Sequence, residues 1–153
     1  MVTRNDLMNT LKIAWPAFIR SYSSFTAEEQ AEYLRRQGYP SFSALLARIN
    51  AWWARALTLI ETYKTDADFV VPAVNVDDFN AAAVALARDL PTAQTLQTFD
   101  ELRERLIRLV TCLTDDDFSD PRIVRQLEME IIAHLEEHDI KKDLLSDKTG
   151  LLS

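Results

Sequence analysis

Apolar residues recur along this chain at intervals of three and four, the spacing of one helix face. Leu7, Leu11, Ala14, Trp15, Phe18 and Tyr22 carry a first long helix over about 3–22. Pro16 falls inside this run, removes a backbone donor and predicts a bend there. Thr26 followed by Ala-Glu-Glu is a cap with acids in the first turn, opening a short helix over about 27–37. Gly38 suits its left-handed end, and Tyr39-Pro40 stops the run. Ser41 caps a second long helix, about 42–64, with an inner stripe of Leu45, Ile49, Trp52, Ala56, Ile60 and Tyr63. Leu46, Trp53 and Leu57 widen that stripe, and Arg48 and Arg55 border it. Adjacent tryptophans cannot both reach the centre, so one packs under a neighbouring loop or against a partner subunit.

Residues 65–76 have no helical period, and Pro72 argues for an extended connection. A loop this long commonly covers something in a compact domain. Asp77 is expected to cap an Ala-rich helix over about 78–89, which Pro91-Thr92 ends. A third long helix over about 93–113 has its core face at Leu96, Phe99, Leu102, Leu106, Leu109, Val110 and Leu113. Asp115–Asp117 reads as a solvated turn, and Asp120-Pro121 as cap and first residue of a fourth long helix. That helix is expected to end near Lys142 or Leu145, with residues 146–153 as a frayed tail. Four long amphipathic helices predict an all-α, four-helix bundle in one domain, residues 1–145. The long 65–90 connection suggests a crossover between helices two and three.

Composition narrows the function classes. The chain has 153 residues and a formal charge of −7, which disfavours a phosphate-backbone partner, and no Lys/Arg run interleaves with aromatics. A single cysteine, Cys112, excludes an intrachain disulfide framework and reads as a small core residue. With only Gly38 and Gly150 there is no glycine-rich phosphate loop. The N-terminal stretch lacks the apolar core of a signal peptide, and no apolar run approaches the ~20 residues of a membrane span. The expectation is a cytoplasmic protein with no membrane and no nucleic-acid partner.

The candidate chemistry lies in Glu130-Ile-Ile-Ala-His-Leu-Glu-Glu-His138, which holds both histidines one turn apart. Winding at about 100° per residue puts His134 and His138 in one arc with Val124, Leu127, Ile131 and Leu135. Gln126 and Met129 fall opposite, and Glu130 and Glu137 flank the arc. Two inward imidazoles are either metal ligands or a satisfied polar pair, bonded to Arg48 or a tyrosine. As metal ligands they need a third donor, and Glu130, one turn before His134, is best placed in sequence.

Three stretches carry a family resemblance: Gln37-Gly-Tyr-Pro-Ser-Phe-Ser-Ala-Leu-Leu-Ala-Arg-Ile-Asn-Ala-Trp-Trp53, Val76-Asp-Asp-Phe-Asn80, and Ile131-Ile-Ala-His-Leu-Glu-Glu-His138. Together, over roughly residues 5–140, they resemble the DinB-like (damage-inducible) superfamily, near its ClbS/DfsB-type relatives. The resemblance implies a four-helix bundle with a crossover between helices two and three. It also implies a divalent-metal site of three histidines, of which His134 and His138 match two. The first ligand position is Arg48, in Leu46-Ala-Arg-Ile-Asn-Ala-Trp52, and a guanidinium offers no lone pair to a metal. With that departure, the resemblance implies a degenerate metal site in a small-molecule-binding or protective protein, in which Arg48 either fills the vacated position, paired with Glu130 or Glu137, or snorkels to solvent. A homodimer is expected, with Arg48, Trp52 and Glu137 as ligand-binding residues. The alternative is a metal-dependent transferase or hydrolase, using zinc or nickel on His134, His138 and a carboxylate. A purely structural module of helix faces is the third reading.

Overall fold

The computed structural model describes residues 1–140, so the expected frayed tail and the far end of the fourth helix lie outside the described residues. Seven helical rods follow in order, with no strand among the described residues: α1 (4–24), α2 (Ala27–Gln37), α3 (Phe42–Thr65), α4 (Val76–Ala87), α5 (Thr92–Cys112), α6 (Asp115–Phe118) and α7 (121–137). None is long and apolar enough to cross a membrane.

Local chemistry sets the ends. Thr3 with Asp6, Thr26 with Glu29 and Thr114 with Asp117 form capping boxes, each closing two otherwise orphaned N–H groups. The last of these winds Asp115–Asp117 into one helical turn, where the sequence suggested a bare turn. Ser41 and Asp120 cap α3 and α7 as expected. For α4 the cap is Asn75, whose side chain accepts from Asp78 N–H, so the helix starts two residues earlier than Asp77 suggested. Gly38 closes α2 at φ 83°, with its own N–H and that of Tyr39 donating to the Leu34 carbonyl.

Cross-contacts give the rods their directions. Arg4 donates to the Val110 and Leu113 carbonyls, and Arg103 to that of Leu11, so α1 and α5 run antiparallel. α3 opposes α7, since Arg48 meets Glu137, Trp53 meets Glu130 and Tyr63 meets Arg122. Ser43 and Thr95, at the starts of α3 and α5, share a 2.7 Å hydrogen bond, and their far ends share a groove between Thr65 and Cys112. α3 and α5 are therefore parallel, and residues 66–91 return along the length of the bundle.

The core centres on Trp15, Trp53 and Phe99. The two indoles meet edge to face at 4.9 Å, and Trp53 stacks on Phe99 at 5.0 Å. Of the adjacent tryptophans, Trp53 is the central one, which reverses the expected order of the α3 stripe. Trp52 is half-buried against the crossover, 4.3 Å from the Phe79 ring, and donates to Asn80 Oδ1 at 2.7 Å. On α5, Thr95 turns inward to bond Ser43 and Asn50, leaving Leu96 half-buried. Cys112 is exposed, not a core residue, because Leu109, Val110 and Leu113 take the inner positions.

Two rods contain π-turns, Thr10–Ala14 in α1 and Glu128–Ala133 in α7. Pro16 cannot donate to the carbonyl of Lys12, and its ring crowds that carbonyl, so the expected bend takes the form of a wide turn just before it. Inserted donors hold both turns open. Arg103 bonds the Leu11 carbonyl at 3.1 Å, while Trp53 and Trp15 bond those of Glu130 and Ile131 at 2.9 Å each.

Candidate functional site: a histidine pair beside a half-apolar pocket

The π-turn in α7 decides which side chains face inward. Buried residues fall at Gln126, Glu130, His134 and His138, in steps of four. On a regular α-helix such a series drifts by about 40° per step. A wide turn between Glu128 and Ala133 cancels part of that drift. Gln126, expected on the outer face, and Glu130, expected at the flank, are therefore both buried, while Val124 and Leu135 are only half-buried.

The His134–Glu137 turn of α7 closes at His138, its cap at φ −102° and ψ 14°. A helix end leaves carbonyls without intrahelical donors. α2 supplies donors here: Tyr33 Oη donates to the His138 carbonyl at 2.6 Å, and Gln37 Nε2 to that of Glu137 at 3.3 Å. Gln37 Oε1 also lies 2.8 Å from His138 Nδ1, so that nitrogen is the donor and Nε2 keeps its lone pair. Tyr33 and Gln37 carry no sequence signal for this role beyond their place near the Gly38 cap.

The imidazoles lie 4.9 Å apart between ring centres. His138 is fully buried and His134 is 5% exposed, packed edge-on against Trp15. His138 Nε2 and both nitrogens of His134 have no hydrogen-bond partner among the described residues. Glu130 Oε2 approaches His134 Nδ1 only to 3.6 Å, too long for a hydrogen bond, and the other Glu130 oxygen accepts weakly from Gln126 at 3.4 Å.

Arg48 reaches this end from α3. It donates to Glu137 Oε1 at 2.7 Å and to the Tyr39 hydroxyl, and its Nε is buried without a partner among the described residues. Burial, then the neighbouring His134, then the Arg48 charge push the His138 imidazolium down to a pKa of about 3. His138 is thus neutral at physiological pH, the state a metal ligand or a hydrogen-bond acceptor needs.

His134, Glu137 and His138 each offer a ligand atom, all within 4.8 Å of one another, and this group can hold a metal ion. The donor set suits zinc or nickel. Glu137 joins the pair in this group, while Glu130 lies on the Nδ1 side of His134. Arg48 engages the Glu137 carboxylate and adds a positive charge, which works against a second cation.

A pocket of about 390 Å³ opens beside the pair, between α3 and α7. Its polar surface comes from Arg48, Arg55, Glu130, His134 and Glu137. Trp52, Ala133 and Met129 form apolar walls, and Val74 and Val76 of the crossover close one side. Val74, Val76 and Met129 are among the exposed large hydrophobics, at 37%, 51% and 49%. A concave site with apolar walls and a few converging polar groups has the make-up of a small-molecule pocket. The long 65–76 connection therefore does cover something: it forms a wall of this pocket. Comparison with known proteins finds no match to a family model, a curated protein or a solved structure.

Proposed function

We propose that this protein is a DinB-like helical bundle that binds a small molecule in the pocket between α3 and α7, with His134 and His138 as the remnant of a metal site. The observation that carries the reading is His134. It is a buried imidazole with no hydrogen-bond partner among the described residues, on the wall of a 390 Å³ pocket with an exposed apolar rim. An unpaired buried polar group costs about 1–3 kcal/mol, and a bound molecule that bonds it recovers that cost. Arg48 at the family's first ligand position favours binding over metal chemistry. The up-down-down-up order of the long rods agrees with the DinB-like type. The test is a thermal-shift screen of small molecules against the wild-type protein and Ala133→Phe, which narrows the pocket. Compounds that stabilise the wild type and not the variant support the reading. A screen in which both respond alike sinks it.

A second reading has its own observation, the three ligand atoms of His134, Glu137 and His138 within 4.8 Å. A metal held there would polarise a bound substrate or activate its nucleophile, giving a metal-dependent transferase or hydrolase. His138 Nε2 and His134 would bind it as neutral imidazoles, and Glu137 would have to leave Arg48. Elemental mass spectrometry on tag-free protein decides: about one zinc or nickel per chain makes this the leading reading. Arg48→His is then expected to tighten metal binding, because it removes the charge and adds an imidazole.

A further inference from the structure

The pocket has a polar side whose charges do not close on themselves. Arg48 and Glu137 form an ion pair at 2.7 Å. Seven residues on along α3 stands Arg55, and seven residues back along the antiparallel α7 stands Glu130. On α3 seven residues are about two turns, or 10.5 Å; on α7 the wide turn at Glu128–Ala133 intervenes, so the contact with Trp53 sets the level and regular winding does not. Arg55 and Glu130 are thus the next rung of the same ladder, and both line the pocket. The hydrogen bond from Trp53 to the Glu130 carbonyl fixes them at this level. This rung is open. The Arg55 guanidinium lies over the Trp52 ring at 5.6 Å and makes no hydrogen bond or ion pair with any described residue. Glu130 is 5% exposed and has only the long bond from Gln126 and the distant His134.

We propose that the pocket takes a small amphoteric compound with an apolar body, of the chemical class of the hydrophobic α-amino acids, held between Arg55 and Glu130. The inference rests on the small-molecule reading above. The ligand carboxylate meets Arg55, whose planar fork matches it. The ammonium, with three N–H donors, meets the Glu130 carboxylate and the unpartnered acceptor nitrogen of His134. The apolar body lies against Met129, Val74 and Val76. A simple anion would leave Glu130 buried without a counter-charge, and a simple amine would leave Arg55 without one. One molecule bearing both groups closes the rung.

The test is calorimetric titration at pH 7 with four probes sharing one body: L-phenylalanine, 3-phenylpropanoate, 2-phenylethylamine and 2-phenylethanol. L-phenylalanine is expected to bind at least tenfold more tightly than either singly charged probe. Arg55→Gln, at a half-exposed position with no polar partner to lose, is expected to bring L-phenylalanine down to the affinity of the amine. Glu130→Gln is expected to bring it down to that of the propanoate. If a singly charged probe equals or exceeds L-phenylalanine, the amphoteric class is wrong. If the alcohol binds as well as the others, the pocket works by apolar contact alone; that overturns this inference and leaves the small-molecule reading standing. No binding by any of the four overturns the inference as well, and the wider screen with Ala133→Phe then judges the pocket by itself.

Discussion

Two neighbouring turns of α7 solve the same problem in opposite ways. At the π-turn, the carbonyls of Glu130 and Ile131 face the core, and two buried indoles bond them at 2.9 Å. The rings that supply those bonds pack edge to face with each other and against Phe99. One turn on, His134 and His138 are buried as deeply, yet three of their four nitrogens lack a partner among the described residues. Arg48 Nε is in the same condition. Native interiors rarely leave so many polar atoms unpaired in one place. The first region is built for cohesion. The second leaves bonding capacity open beside a pocket.

The largest effect is expected at the cohesive side. Trp53→Ala removes a fully buried ring and the donor that holds the π-turn open, and is expected to cost about 3–5 kcal/mol in chemical denaturation. A cost below about 1 kcal/mol would mean that the aromatic centre is not what holds α3 to α7.

A smaller effect is expected from pH at the histidine side. In the metal-free protein His138 titrates near 3, against about 6.5 when unfolded. Between these values the unfolded chain binds the extra proton, so acid favours unfolding. The contribution is complete above about pH 6.5 and is lost as pH falls toward 3. Between pH 7 and 5 the wild type is expected to lose about 2 kcal/mol more than His138→Gln. Equal slopes for the two would show that His138 titrates normally.

The smallest change is expected at the mouth. The Arg48 side chain is 17% exposed and its partner Glu137 51% exposed, so the pair is partly screened. Arg48→Met is expected to shift stability by no more than about 1 kcal/mol, while raising the His138 pKa measured by NMR titration. An unchanged pKa would show that the guanidinium charge does not reach the ring.

The long rods were legible because amphipathic spacing survives in any surface helix: Leu7 to Phe18, Leu45 to Tyr63 and Phe99 to Leu113 all carry it. Gly38 and the Ser41 and Asp120 caps were legible for the same reason, since each acts through its own neighbours. The π-turns were not legible. Pro16 signals a disturbance, but the turn in α7 contains no proline, and donors remote in sequence, Trp15 and Trp53, hold it. That one turn moves Gln126 and Glu130 inward, so a fixed 100° winding misplaced them. The order of Trp52 and Trp53 was hidden likewise, because α4 covers Trp52 through Phe79 and Asn80. The inward histidines could be reached from spacing; Arg48 beside Glu137 was one of three placements left open, two of them suggested only by the family resemblance. The open pair of Arg55 and Glu130 could not, since it depends on where two antiparallel helices stop sliding past each other.

On the small-molecule reading proposed above, the histidine end is held unsatisfied for a ligand and contributes no cohesion of its own. The most direct measurement is the stability of His134→Leu against the wild type, both free of ligand and metal, by denaturant unfolding at pH 7. An apolar side chain of similar bulk removes two unpartnered buried nitrogens, so the variant is expected to be as stable as the wild type or about 1–2 kcal/mol more stable. A loss of more than about 1 kcal/mol would make His134 a bonded member of the core and rule that reading out.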